Sequence, residues 1–207
     1  MKYKKIAEKA GVILIACCVA VLAFMTVTVK ISENADVSGD ITVIQAPEQT
    51  EAMENDAFKT EEYTAPVIDG TNVALGATVT SNGFNDVYKP VNAVDGARGT
   101  YWEGDPSENE SIITVELDGE HDIFTVVLAL NPAAVWSKRT QNVALLVSND
   151  GENFTELVKN TKYEFNPATG NQVVMEFDRT SAKYVRAVLS ANSGAVAGQI
   201  AEFEIYE

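Results

Sequence analysis

Cysteine is missing from this chain beyond the adjacent pair Cys17 and Cys18, and histidine occurs once, as His121. Two neighbouring cysteines in an apolar N-terminal stretch build no disulfide framework for the rest of the chain, which has no thiol chemistry. One histidine supplies neither a Ser-His-Asp arrangement nor a histidine-rich zinc site. Set in the D-G-E-H-D run between two strand-like segments, it reads as a solvated turn residue. Bases are scarce too: 15 Lys and Arg stand against 30 Asp and Glu, a formal net charge of -15 over 207 residues. That balance argues against nucleic acid as a partner, because phosphate contacts need clustered Lys and Arg. It argues equally against electrostatic docking on anionic lipid. Divalent cations and neutral ligands remain.

What is present falls into four stretches. Residues 1–9 are a basic end, with Lys2, Lys4, Lys5 and Lys9 against Glu8, and Ala10 to Val29 then runs without a charge. Such a run spans about 30 Å as a helix, the thickness of a bilayer core. Residues 10–30 therefore read as a transmembrane anchor whose flanking lysines keep the short end in the cytoplasm, leaving the C-terminal part extracellular. A cleaved signal peptide, followed by secretion, is the rival; its basic start and apolar core look alike, although no A-x-A site closes this run. Leu14-Ile15-Ala16-Cys17 also fits a lipobox loosely. Residues 31–70 are acidic, with Lys59 the one base, and bury too little to offset their ordering entropy. They read as a flexible linker of roughly 35 Å root-mean-square span.

From Thr71 short apolar runs alternate with turn signals. The runs are Val73 to Val79, Ile112 to Leu117, Ile123 to Leu130, Asn142 to Ser148, Phe154 to Val158, Gln172 to Phe177, Tyr184 to Leu189 and Ile200 to Tyr206. Ile113, Val115 and Leu117 alternate with Thr114 and Glu116, and period two means strand. Asp118-Gly119 and Asn149-Asp150-Gly151 punctuate them, and no stretch shows capped helical spacing. The expected fold of residues 71–207 is all-β, a two-sheet antiparallel sandwich or jelly roll.

One stretch, Asn92 to Glu103 (N-A-V-D-G-A-R-G-T-Y-W-E), is neither helix nor strand by pattern. Its Asp-Gly and Arg-Gly dipeptides are turn signals that bend the backbone back on itself. Asp95, the Thr100 hydroxyl and backbone carbonyls then form the oxygen set that calcium prefers. An ordinary surface loop over a buried Trp102 is the alternative.

Taken together, Asn72-Val73-Ala74, Asn92-Ala93-Val94-Asp95-Gly96 with Thr100-x-Trp102, Ser148-Asn149-Asp150-Gly151, Tyr184-Val185-Arg186 and Ala201-Glu202-Phe203-Glu204-Ile205 resemble the discoidin family (coagulation factor 5/8 C-terminal type). Within it they resemble the bacterial carbohydrate-binding modules of family 32, which are galactose-binding-like β-sandwiches. The resemblance implies a structural calcium (Ca2+) held by carbonyls of Asn92, Ala97 and Ala201, the carboxylates of Asp95 and Glu202, and the hydroxyl and carbonyl of Thr100. The alternative for Glu202 is an outward strand residue.

A sugar site needs an aromatic face beside rigid polar groups. The loop Asn131-Pro132-Ala133-Ala134-Val135-Trp136-Ser137-Lys138-Arg139-Thr140-Gln141 offers Trp136 and Arg139, and Arg139 matches the arginine that family 32 modules often use. Glu103, Trp102, Asn192, Ser193 and Gln199 are further candidates. Packing is the alternative for Trp102, and for Trp136 under the Arg139 stem. The expected function is a non-catalytic carbohydrate-binding or adhesion module on the outer face of a bacterial membrane, with a glycan or polysaccharide as partner. A protein-interaction domain of a cell-surface assembly is the competing expectation. No carboxylate pair is spaced for glycoside hydrolysis, and no exposed apolar spikes beside basic residues mark a lipid-binding loop.

Overall fold

The computed structural model describes residues 59–207 apart from residue 61. The basic end 1–9, the anchor or signal segment 10–30 and most of the 31–70 linker lie outside the described residues. Among the described residues no helix is long and apolar enough to cross a membrane.

Among the described residues alternating apolar positions produce eight strands: β1 (Thr78–Ser81), β2 (Trp102–Glu103), β3 (Ser111–Ala129), β4 (Arg139–Ser148), β5 (Thr155–Phe165), β6 (Gln172–Ser190), β7 (Gln199–Ile200) and β8 (Glu202–Tyr206). Short 3-10 turns at Pro90–Ala93, Ala134–Trp136 and Pro167–Thr169 are the helical elements described. All strand pairing is antiparallel.

Two strands are longer than expected. Ile112 to Leu117 and Ile123 to Leu130 are parts of one strand, β3, and Gln172 to Phe177 and Tyr184 to Leu189 are parts of β6. The D-G-E-H-D run does not close a hairpin. Between the pairs Glu116↔Tyr184 and His121↔Ala182, residues 117–120 of β3 stand opposite Lys183 alone. A second irregularity sets Phe124 opposite residues 177–179. Bulges of this kind bend a strand pair and increase its twist, so β3 and β6 pass together around a corner. On one side of it the order is β1, β3, β6, β4, β5; on the other, β8 and the first part of β6 flank the last part of β3. The result is the expected two-sheet antiparallel sandwich. His121 is consequently a strand residue and not a solvated turn: Asp118 and Glu207 hold its ring nitrogens at 2.6 and 2.7 Å.

The core lies between these layers. Ile113, Val115 and Leu117 from one part of β3 are fully buried with Val126 and Leu128 from the other, and with Phe203 and Ile205 of β8. The first expected run yields only β1, because Val73 to Gly76 form a turn. The last run is broken at Ala201, whose N–H donates to the Ala129 carbonyl.

Candidate glycan and calcium sites

The Pro90–Ala93 turn packs against β2 and β8 and carries the chain into Asp95 to Thr100. Asp95 Oδ1 accepts from the Ala97 N–H at 2.8 Å, and the Thr100 hydroxyl bonds Asp95 Oδ2 at 2.7 Å and the Ala97 carbonyl at 2.8 Å. Asn92 ties the loop's far end, donating to the Tyr101 carbonyl at 2.9 Å. Glu202 comes from β8 and is 3% exposed, with Oε1 buried and without a hydrogen-bond partner. Burial first, and then the neighbouring Asp95 carboxyl, push its carboxyl up to about 7, against a bond from the Ala97 N–H. Two carboxyl groups side by side, one with an orphaned buried oxygen, are unfavourable without a positive charge between them. The donor set fits a hard cation. Asp95, Ala97, Thr100 and Glu202 are thus together, with Asn92 and Ala201 on the elements that flank them.

β2 is short, and Trp102 within it and Tyr101 just before it face different sides. Trp102 points inward and is 0% exposed, its indole N–H donating to the Gly83 carbonyl at 3.2 Å. No face of that ring is open to a ligand, so Trp102 is a core residue and its place among the ligand candidates is corrected. Its neighbour Tyr101 is half-buried on the other side, stacked on Tyr88 (centroids 4.3 Å apart) and edge-on to Trp136 (4.7 Å). Burial raises its hydroxyl pKa, as does a hydrogen bond with Tyr88. Tyr101 is absent from the candidates read from sequence, although its period-two offset from an inward Trp102 is a signal for it.

Trp136 ends the Ala134–Trp136 turn, and the backbone leaves it through Ser137 at φ 41, a conformation costly for a residue with a side chain. Arg139, at the start of β4, holds that exit. Its guanidinium donates to the Trp136 carbonyl and to the Ser137 carbonyl at 3.5 Å, and lies 4.9 Å from the Trp136 ring centroid. Nη1 donates to Gln199 Oε1 at 2.7 Å. Gln199 Nε2 in turn donates to Glu103 Oε2 at 2.7 Å, and Glu103 Oε1 accepts from Asn85 at 2.8 Å. Gln141 locks the Gln199 backbone from both sides, at 2.9 and 3.0 Å. Burial lowers the Arg139 pKa against the pull of Tyr101 and Glu103, but a guanidinium remains charged.

Tyr101, Val135, Trp136, Arg139 and Gln199 line a concavity of about 270 Å3. Three of the seven candidates therefore meet at one surface, and Glu103 is hydrogen-bonded to one of them, Gln199. Asn192 and Ser193 do not line it; they brace the neighbouring loop through Ala197 and Thr140. An aromatic ring beside a few fixed polar groups is the usual make-up of a small-ligand site, here just below the usual size range.

The F5/8 type C domain model matches residues 76–203. The chain belongs to the F5/8 type C (discoidin) family. No curated protein matches it. Solved structures do. A pectin-binding carbohydrate-binding module is 25% identical with a TM-score of 0.55, over 65% of this chain and 92% of its own. A chitosan-binding module from a chitosanase/glucanase of Paenibacillus sp. IK-5 is 25% identical with a TM-score of 0.54, over 66% and 99%. A family 32 module of Clostridium perfringens, in complex with GalNAc-β-1,3-galactose, is 22% identical with a TM-score of 0.56, over 66% and 100%, a likeness of fold alone.

Proposed function

We propose that residues 71–207 form a non-catalytic carbohydrate-binding module whose sugar face is the Trp136 ring. The observation that carries this is the partly exposed Trp136, set edge-on against Tyr101 in a concavity that Arg139 and Gln199 also line, the latter held by Glu103. A pyranose ring lays its apolar C–H face on the indole, and its hydroxyls meet the rim. Of five guanidinium donors, three are turned onto protein oxygens, so Arg139 chiefly fixes the platform. The pectin and chitosan ligands of the similar modules support the class of ligand. One small concavity grips about one sugar weakly, and useful avidity comes from several copies on one surface. The reading as non-catalytic rests on Glu103, whose two oxygens are already engaged by Asn85 and Gln199.

Two further parts of the proposal have their own supports. Asp95, Thr100 and Glu202, with carbonyls of Asn92, Ala97 and Ala201, form a structural calcium site, for which the orphaned Glu202 oxygen speaks. The charge pattern of residues 1–30 supports display on the outer face of a membrane, or secretion if that segment is cleaved. A protein partner at the same loops is the second reading, favoured by exposed Val135 and Val196.

The test is a glycan array with isothermal titration of the hits, on wild type and Trp136→Ala. Binding by wild type and its loss in the variant, at an unchanged melting temperature, is the expected result. Absence of glycan binding together with a stoichiometric protein partner sinks it.

A further inference from the structure

In a two-layer sandwich the residues of β3 that alternate with the core face solvent. Val126 and Leu128 are core, so Thr125, Val127 and Ala129 point outward; yet they are 1%, 2% and 1% exposed. Something covers them. Arg98 is part of the cover, reaching from the calcium loop to the Leu130 and Gly170 carbonyls and to Gln172 Oε1 at 3.3 Å. The other part is the chain before the family domain. Gly70 lies against Phe124, and Thr71 exchanges backbone bonds with Glu207 at 3.2 and 3.3 Å. Residues Pro66 to Asp69 then form, with Phe124, Thr125, Val174 and Glu176, the walls of a groove of about 720 Å3. Tyr63 comes next: its hydroxyl accepts from Gln172 Nε2 at 3.0 Å, and its ring fills the space that a Cβ on Gly170 would need.

At its far end this segment meets the sugar-site loop. Thr60 forms a β-bridge with Ala133, and the Ala134 N–H donates to the Lys59 carbonyl at 3.1 Å. Ala134 opens the turn that ends in Trp136.

We propose that residues 59–60 and 62–70 form a docked brace that extends the module beyond its family match at 76–203 and positions Trp136. The brace does two things. It runs along the outer face of the β6–β3–β8 layer, with Tyr63 on Gln172 and Gly170 and residues 66–69 beside Thr125 and Val174, and it supplies the acceptor for the first N–H of the Trp136 turn, which has no acceptor inside so short a turn. Arg139 secures the turn's exit and Lys59 its entry, so the aromatic platform is fixed from both ends. This positioning role rests on the reading of Trp136 as the sugar face; the docking does not.

Hydrogen exchange on the full-length chain separates the two. Tyr63→Ala is expected to speed amide exchange in residues 131–138 while leaving 143–148 unchanged. Reciprocally, Ala134→Pro, which removes the donor at a position where the preceding Ala133 already has the extended backbone that proline requires, φ -62 and ψ 141, is expected to speed exchange in 59–70. Val67→Ala, at a fully solvated side chain of the same segment, should alter neither. Glycan affinity should fall roughly three- to tenfold in Tyr63→Ala, the equivalent of about one hydrogen bond. Unchanged exchange in both variants overturns the brace. Faster exchange with unchanged glycan affinity overturns the positioning role. If wild type binds no glycan, only the reading of Trp136 fails, and the exchange rates still decide the docking.

Discussion

Arg139 has a different job in the structure from the one its position in the chain suggests. The family resemblance casts it as a ligand-binding arginine, but at 9% exposure it bonds the Trp136 and Ser137 carbonyls and Gln199 together. A planar fork spans these acceptors, whereas a lysine ammonium on a flexible stem reaches one at a time. Arg139→Lys should therefore lower stability by about 1–3 kcal/mol, the cost of leaving buried polar groups unpaired, and weaken glycan binding without altering which glycan is preferred. Thermal melts and titrations on one ligand series check both. Gly194 offers a second probe, since a Cβ there would lie 2.7 Å from Arg139 Nε; no substitution at Arg139 itself is needed to disturb the clamp. At this scale the candidate site was half legible. Trp136 and Arg139 announce themselves because a tryptophan on a proline-started loop seldom packs in a core. Tyr101 does not, because its neighbour Trp102 claims the same signal and only the burial of β2 tells which ring points out.

Among elements, the departure from expectation is the corner that β3 and β6 turn together. Glycine and aspartate in D-G-E-H-D carry every local signal of a hairpin, and local signals cannot register that Lys183 on another strand waits opposite. The bulge has a consequence for pH. His121 lies between Asp118 and Glu207, and hydrogen bonds to Glu207 first and Asp118 second raise its pKa above the usual imidazole value. A group whose pKa is raised on folding stabilises fully below its unfolded value, near 6.5, and that stabilisation is lost as pH rises through the folded value. Asp118 is 91% exposed, so the pair is worth about 1 kcal/mol at most. Denaturant melts at pH 5.5 and 8.5 should show His121→Gln less stable than wild type at the lower pH and nearly equal to it at the higher. A gap that is the same at both values removes the imidazolium from the account.

For the whole molecule, period-two patterning was enough to predict a sandwich, because each layer must hide one face; the outward faces left no such trace. Val127 sits inside the apolar run Ile123 to Leu130, and nothing in its neighbourhood of sequence says what lies against its outward side. The same holds for Glu202. Alternation makes it outward, which was the bland alternative to a metal ligand, yet it is buried under Asp95 and Arg98's loop. Joining Asp95 to Glu202 links the first third of the domain to its last strand, and closing so long a loop is where a cation stabilises most in principle. Calcium at a hundred times its dissociation constant should add about 2.7 kcal/mol to stability, seen as a higher melting temperature that chelator reverses. Two variants give opposite signs without calcium. Asp95→Ala loses its bonds to Ala97 and Thr100 and should melt lower, whereas Glu202→Gln relieves a buried carboxyl beside another and should melt higher; both should lose the calcium response. Identical melts of wild type in calcium and in chelator would leave Glu202 an unpaired carboxyl and dispose of the site.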